Sequence, residues 1–304
     1  MFETFLSSSK LTNTFTGHTK SVRSIDYSTF DDRQFIYSGS RDKTVCVWDV
    51  DNDKQIQSFD GHSSTVLCVK FSLYHYHNHH QNVICSSSYD KTIRFWDFKH
   101  NEQLQIFNEH TDCVCGIEFS PFNGGRYLCS GSYDKTICVL IFHHYKNNKN
   151  DNNNNKMNNI GVIGGNGYTI CSGSFDKTIR IWDIETTKQF NVFKGHDYYV
   201  MSIKYGSNEL LNTILSGSLD KSVRLWDIRS GQQIQMFNGH TNDVWCVEYS
   251  PFNELYMIKG DEKEDDGIYC LKFIELKKKD KTKNIKYDLN LCYGSAKGLI
   301  RICG

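Results

Sequence analysis

Most of the chain is written in short runs of apolar residues alternating with polar ones, each run bounded by Gly, Asp or Asn. SerValArgSerIleAspTyr (21–27), PheIleTyrSerGlySer (35–40) and ThrValCysValTrpAspVal (44–50) are rich in Val, Ile, Thr and aromatics, which is the composition and period of β-strands. A fourth run, GlnIleGlnSerPheAspGlyHis (55–62), has a near-copy in GlnIleGlnMetPheAsnGlyHis (233–240). The connections are short, so neighbouring strands pair antiparallel. The predicted unit is four strands.

The unit repeats. Ser-Gly-Ser-x-Asp-Lys-Thr-(apolar)-x-(apolar)-Trp-Asp recurs with its acid at Asp42, Asp90, Asp134, Asp176 and Asp220, spaced by 48, 44, 42 and 44 residues. A weaker copy near the C-terminus puts Lys297 in that place. Gly-His pairs end at His18, His62, His196 and His240, and His110 follows Glu109 in the third copy. Four antiparallel strands per ~40–45 residues, marked by Gly-His and Trp-Asp, form the blade of a propeller.

On these motifs the chain resembles the WD40-repeat family over nearly its whole length. The resemblance implies an all-β propeller whose blades run from strand a, beside a central channel, to strand d at the rim, with closure by the N-terminal strand. LysLeuThrAsnThrPheThrGlyHis (10–18) reads as an orphan d strand, and LeuIleArgIleCysGly (299–304) as a c strand lacking its d. The resemblance also implies a buried tetrad in each blade: His18, Ser38, Asp42 and Trp48; His62, Ser86, Asp90 and Trp96; His196, Ser216, Asp220 and Trp226. The third copy keeps His110, Ser130 and Asp134 but has Leu140 for Trp, and the fourth keeps Ser172, Asp176 and Trp182 without a histidine. Ser38, His18 and Asp42 could be read as a hydrolase triad. Their repetition in several blades argues for architecture instead, because a nucleophile needs one unique exposed serine.

Two stretches break the pattern. An Asn-rich insertion at about 143–159 is too polar to bury a core, and IleGlyValIle from Ile160 stands where a strand a belongs. After His240 the strand AspValTrpCysValGluTyrSer (243–250) leads to GluLeuTyrMetIleLysGlyAsp (254–261), a d strand with Asp261 in the histidine place, and not to a Ser-Gly-Ser phrase. GlyIleTyrCysLeuLysPheIle (267–274) is then the last strand a, the lysines from Lys277 a loop, and LeuAsnLeuCysTyrGlySer (289–295) the last strand b. This predicts six blades rather than seven in a single domain over 1–304, with charged loops at about 261–266 and 277–288.

Composition narrows the function. The chain has 35 basic and 35 acidic side chains, and its pI is near 7.1. No nucleic-acid partner is expected, because phosphate binding needs clustered cations. No run of about 18 apolar residues occurs, and the N-terminal residues lack the charged-then-apolar order of a secretory signal, so no membrane association and an intracellular location, cytoplasmic or nuclear, are expected. The 12 cysteines contain no Cys-x-x-Cys pair. Cys85, Cys129 and Cys171 stand where Tyr37 and Leu215 do in sister copies, so they read as small buried hydrophobes. TyrHisTyrHisAsnHisHis (74–80) reads as a solvated loop more than a metal site. No metal, cofactor or catalytic residue is expected.

Binding chemistry is sought where equivalent positions differ. The residue before the turn Asp is Arg41, Tyr89, Tyr133, Phe175 or Leu219, and the residue after the first Val of strand a is Arg23, Leu67, Cys115, Met201 or Trp245. In the family both positions surround the channel mouth. Aromatics and Arg dominate protein-binding hot spots, so the expected function is a non-catalytic scaffold binding peptides or proteins there, in a larger complex. The alternative is a substrate receptor of a cullin-type ubiquitin ligase. It rests on residues 214–229, similar to the family's adaptor-docking box, which ends in Trp-Asp-x-Arg at Arg229.

Overall fold

The computed structural model describes residues 11–120, 127–141, 169–183, 188–206, 210, 212–249, 265–279 and 285–303. After β1 (Leu11–Phe15), the first sheet comprises β2 (Val22–Phe30), β3 (Arg33–Ser40), β4 (Thr44–Asp49) and β5 (Lys54–Asp60). The second comprises β6 (Val66–Phe71), β7 (Val83–Ser88), β8 (Ile93–Asp97) and β9 (Glu102–Phe107), with helix α1 (Leu73–His79) between its first two strands. The third contains β10 (Val114–Phe119), β11 (Tyr127–Ser132) and β12 (Ile137–Ile141), and the fourth β13 (Thr169–Gly173), β14 (Thr178–Asp183) and β15 (Gln189–Lys194). The fifth comprises β16 (Val200–Tyr205), β17 (Thr213–Ser218), β18 (Ser222–Asp227) and β19 (Gln233–Asn238). The sixth is ordered β1-β22-β21-β20, from β20 (Ile268–Lys279), β21 (Ile285–Ser295) and β22 (Ile300–Cys303). Among the described residues four sheets have four strands and two have three, giving six blades.

Two compact units divide the chain. Unit 1 is Met1–Ile117, Gly131–Thr136 and Trp245–Gly304, and unit 2 is Glu118–Ser130 with Ile137–Val244. In unit 1 the two ends of the sequence meet: β1 pairs antiparallel with β22, Phe15 opposite Ile300. Phe15 is buried against Trp48, 5.7 Å between ring centroids, in a cluster with Val22, Ile36, Ile300 and Ile302. This pairing covers a sheet edge that would otherwise invite association.

The glycine of the repeated phrase has a packing reason. A Cβ at Gly39 would lie 2.5 Å from Val66 Cγ1, and one at Gly294 2.6 Å from Val22 Cγ1. In unit 2 a Cβ at Gly173 would lie 2.8 Å from Val200 Cγ1. At these three positions strand b touches the first Val of the next sheet's strand a with no room for a side chain, and interiors at this density tolerate little added volume; the second blade carries Ser87 at the matching position. A register shift precedes each tryptophan, at Trp48, Trp96, Trp182 and Trp226. The extra residue of each bulge lies on the neighbouring strand d, at Ile56, Leu104, Phe190 and Ile234.

Three expectations are corrected. Residues 74–80 are no loop: Ser72 caps α1 by accepting from His75 N–H, and Tyr74 is buried, so a cap and an apolar anchor outweigh the histidines' low helix propensity. The charged loop at 277–288 is shorter than expected, because β20 and β21 continue as a hairpin through Lys277↔Tyr287, Lys278↔Lys286 and Lys279↔Ile285. Backbone pairing carries these strands past the point where the charge run was read as their end. Val244–Tyr249 joins no ladder; the sequence after it offers no Ser-Gly-Ser strand to pair with. The insertion at 143–159, Ile160, Asp261 and residues 254–264 lie outside the described residues. All twelve cysteines are free thiols; Cys46, Cys85, Cys270, Cys292 and Cys303 are buried and the other seven half-buried. Among the described residues no helix is long and apolar enough to cross a membrane.

Phe15→Ala is expected to destabilise the protein by about 3–5 kcal/mol, read as a lowered urea midpoint. A change under about 0.5 kcal/mol would mean that β1 is not a structural strand.

Candidate functional site

The turn between strands b and c is built round its carboxylate. In the first blade Asp42 Oδ1 accepts from Thr44 N–H (3.1 Å) and Thr44 Oγ1 (2.7 Å), while Oδ2 accepts from Thr19 N–H (2.9 Å) and His18 Nδ1 (2.9 Å). His18 Nε2 lies 2.7 Å from Ser38 Oγ, which accepts from Trp48 Nε1–H at 2.7 Å. The second blade repeats this with His62, Asp90, Ser86 and Trp96, at 2.8 Å for each of the three links. In unit 2, His196, Asp220, Ser216 and Trp226 do the same at 2.7, 2.7 and 2.8 Å. Each carboxylate ties the loop entering strand a to the b–c turn. Each serine ties the imidazole to the indole.

The remaining blades depart from this set. In the third, His110 Nδ1 bonds Asp134 Oδ2 at 2.9 Å. In the fourth, Trp182 Nε1 donates to Ser172 Oγ at 2.9 Å, and Arg180 Nη2 pairs with Asp176 Oδ2, the oxygen that takes an imidazole elsewhere. The sixth has a different cluster. Tyr293 faces Arg301 across the ladder as Ser38 faces Cys46, and Asp265 lies on the loop entering β20. Tyr293 OH donates to Asp265 Oδ2 at 3.2 Å, and Arg301 Nε is 3.2 Å from Asp265 Oδ1, all three residues being buried. Sequence reading missed this cluster because the acid sits on the histidine's loop and the turn carries Lys297.

Burial works against the charge of Asp42, Asp90, Asp134 and Asp220, but their hydrogen bonds outweigh it and hold them well below the usual carboxylate range. The imidazoles split. Burial lowers His62 and His196, and the charges of Arg94 and Arg224 add to it. At the matching strand-c position the first blade has Cys46, 3.9 Å from His18 Nδ1. Burial opposes protonation there too, but Asp42 and Cys46 raise His18 to about 9.

The candidate binding residues stand at the same turns and strand starts. In unit 1, Arg41 and Tyr89 are exposed and Arg23, Leu67, Tyr133 and Trp245 half-buried. Tyr89 and Tyr133 meet edge to face at 6.1 Å. Arg23 lies 3.8 Å over Tyr269 and 5.6 Å from Trp245, whose rings are 5.2 Å apart. Tyr269 was missed, although it occupies the Arg23 position of its own strand a. In unit 2, Phe175 is exposed, Met201 and Leu219 half-buried, and Phe175 stacks on Tyr199, which sequence reading also missed. Arg229 of the adaptor-docking phrase is exposed, and its N–H caps Asp227 at 2.8 Å.

A charged set at the other end of strand a escaped notice as well. Buried Asp26 accepts from Phe71 N–H at 2.8 Å and from Lys272, so one carboxylate joins β2, β6 and β20 in unit 1. The signal was in the register: the fourth residue after each strand's first apolar position is Asp26, Lys70, Glu118, Lys204, Glu248 and Lys272, alternating in sign. Among the described residues no group of three or more His, Cys, Asp or Glu is placed to hold a metal ion.

Six antiparallel sheets, three of them tied by a turn carboxylate, an imidazole, a serine and an indole, define a β-propeller of the kind that serves as a protein-interaction scaffold. The chain belongs to the WD40 family (WD domain, G-beta repeat), whose pattern matches residues 9–49, 53–97, 101–139, 160–183, 187–227 and 231–268. Over 58 residues it is also 36% identical to Coatomer subunit beta'-1 of Arabidopsis thaliana, a match that spans 19% of this chain and 6% of that protein.

Two measurements check the electrostatics. Nitrogen chemical shifts at pH 7.5 should show His18 as imidazolium and His62 and His196 as neutral; three imidazoles titrating together would contradict the role given to Cys46, Arg94 and Arg224. Because Asp90 is depressed in the fold, its contribution is complete above the unfolded value of about 3.9 and is lost as pH falls below it. Asp90→Asn should therefore lower the urea midpoint at pH 7 and flatten its decline below about pH 4; a parallel decline would refute the assignment.

Proposed function

We propose that the protein is a non-catalytic scaffold that takes peptides or protein partners at the end of its blades formed by the b–c turns and the loops entering strand a. The division of labour there supports this reading. The residues that recur at those turns are consumed by the buried clusters, whereas the residues that vary, Arg23, Arg41, Tyr89, Tyr133 and Trp245 in unit 1 and Phe175 in unit 2, reach the surface at least in part. Aromatic and Arg side chains are the ones that carry binding energy in protein interfaces.

The observation that carries the proposal is the Arg23 guanidinium lying on Tyr269 beside Trp245. Such a pre-ordered side chain loses less conformational entropy when a partner docks. The coatomer relative is named as a subunit of a larger assembly, which fits a part in a complex. The adaptor-docking alternative rests on the phrase from Ile214 to Arg229, which overlaps the ordinary repeat.

Affinity purification with the full chain tests the reading. Partners recovered by the wild type should fall at least about tenfold with Tyr133→Ala plus Trp245→Ala, the size expected when hot-spot aromatics are removed, with the unfolding free energy within about 1 kcal/mol of wild type. Recovery unaffected by the double substitution would overturn it.

A further inference from the structure

Three rings stack in unit 2. Tyr199 lies 4.3 Å from Phe175 at an interplanar angle of 15° and 4.3 Å from Tyr198 at 28°. The backbone holds them in place: Val200 N–H donates to Ser174 O (3.1 Å), Leu219 N–H to Tyr199 O (3.0 Å), and Ser218 Oγ to Tyr198 O (3.1 Å). Phe175 is 42% exposed and Tyr198 46%, unusual for aromatics fixed by this many contacts.

Both signs of charge occur on the loops that carry the stack. Lys177 and Lys221 follow Phe175 and Leu219 on the b–c turns. Asp197, next to Tyr198 in sequence, has a side chain 92% exposed and 3.8 Å from Arg224 Nη2. Asp243 is exposed on the following loop. Tyr199 first, then desolvation and last the Asp243 carboxylate push the Tyr198 phenol above its usual range.

An exposed ring with exposed carboxylates on its own loop and on the following one suits one side chain above others. The ring face attracts a cation, a planar guanidinium stacks on it more fully than an ammonium, and its N–H groups match carboxylate oxygens. The chain uses the same pairing internally in unit 1, where Arg23 lies on Tyr269. We propose that the Tyr198–Tyr199–Phe175 stack seats an arginine side chain carried on an exposed segment of a partner protein, its guanidinium lying on Tyr198 with Asp197 and Asp243 as acceptors. The proposal rests on the scaffold reading and specifies the partner's chemistry.

The test titrates the full chain with three blocked pentapeptides, Gly-Gly-X-Gly-Gly, in which X is arginine, citrulline or glutamate, and follows the tyrosine ring signals by NMR. The arginine peptide should saturate, citrulline should bind at least about threefold more weakly, and glutamate should not bind, as expected for an exposed cation–π contact reinforced by carboxylates. Tyr198→Ala and Asp243→Asn should each weaken the arginine peptide by about threefold or more without moving the urea midpoint. Equal binding of arginine and citrulline, no saturation at millimolar arginine peptide, or a Tyr198→Ala protein that binds as wild type would overturn the proposal. Should selectivity fail while Tyr133→Ala plus Trp245→Ala still abolishes partner recovery, the scaffold reading stands and only the arginine seat falls.

Discussion

A buried carboxylate that must find four hydrogen bonds is the constraint round which each blade is organised. Asp42, Asp90 and Asp220 each accept from a following hydroxyl and its N–H, from the N–H after the histidine, and from the imidazole. An ionised group with fewer partners would be expelled or neutralised. Meeting the requirement brings together two backbone segments some 24 residues apart in sequence. The histidine thereby acquires a fixed orientation, the serine a partner, and the indole an anchor.

That requirement can be met in other ways, which explains how the irregular blades hold together. Arg180 takes the imidazole's oxygen on Asp176. In the sixth blade the acid moves to the loop as Asp265, and the strands supply Tyr293 and Arg301. In each case an anion bridges a loop or turn to the strands through charged or polar donors, so chemistry persists where sequence identity does not. Burial differs among the irregular blades: Thr169–Gly173 of the fourth is half-exposed along its length, whereas Ile300–Cys303 of the sixth is buried throughout, as Val83–Ser88 of the second is. Because the polar residues are committed inward, the surface at the turns is left to residues that differ from blade to blade.

Much of this was legible in the sequence because the repeat carries its own cross-check. Period, turn acid and Trp-Asp recur at matching offsets, so strands β2 to β9 and the pairing of β1 with β22 could be placed from the residues alone. The glycine of the phrase was visible, but not its cause, which is the approach of Val66 or Val22 from another sheet. What escaped were contacts that depend on substitutions outside the phrase. Asp265 puts an acid on the loop that carries a histidine in other blades, Tyr269 and Tyr199 become neighbours of Arg23 and Phe175 only once strands are in register, and Ser72 with Tyr74 turns a polar run into a helix. A motif search finds residues that repeat. The binding surface is made of those that do not.

The central claim, that imidazole and carboxylate are energetically joined and not merely adjacent, is tested most directly by a double-mutant cycle on His62→Ala and Asp90→Ala measured by urea unfolding. Removing either partner orphans the other in a buried site, at about 1–3 kcal/mol per group, so the double variant should be more stable than the sum of the single losses predicts, by about 1–3 kcal/mol of coupling. Single losses that add to within about 0.3 kcal/mol would show that the two groups do not depend on one another.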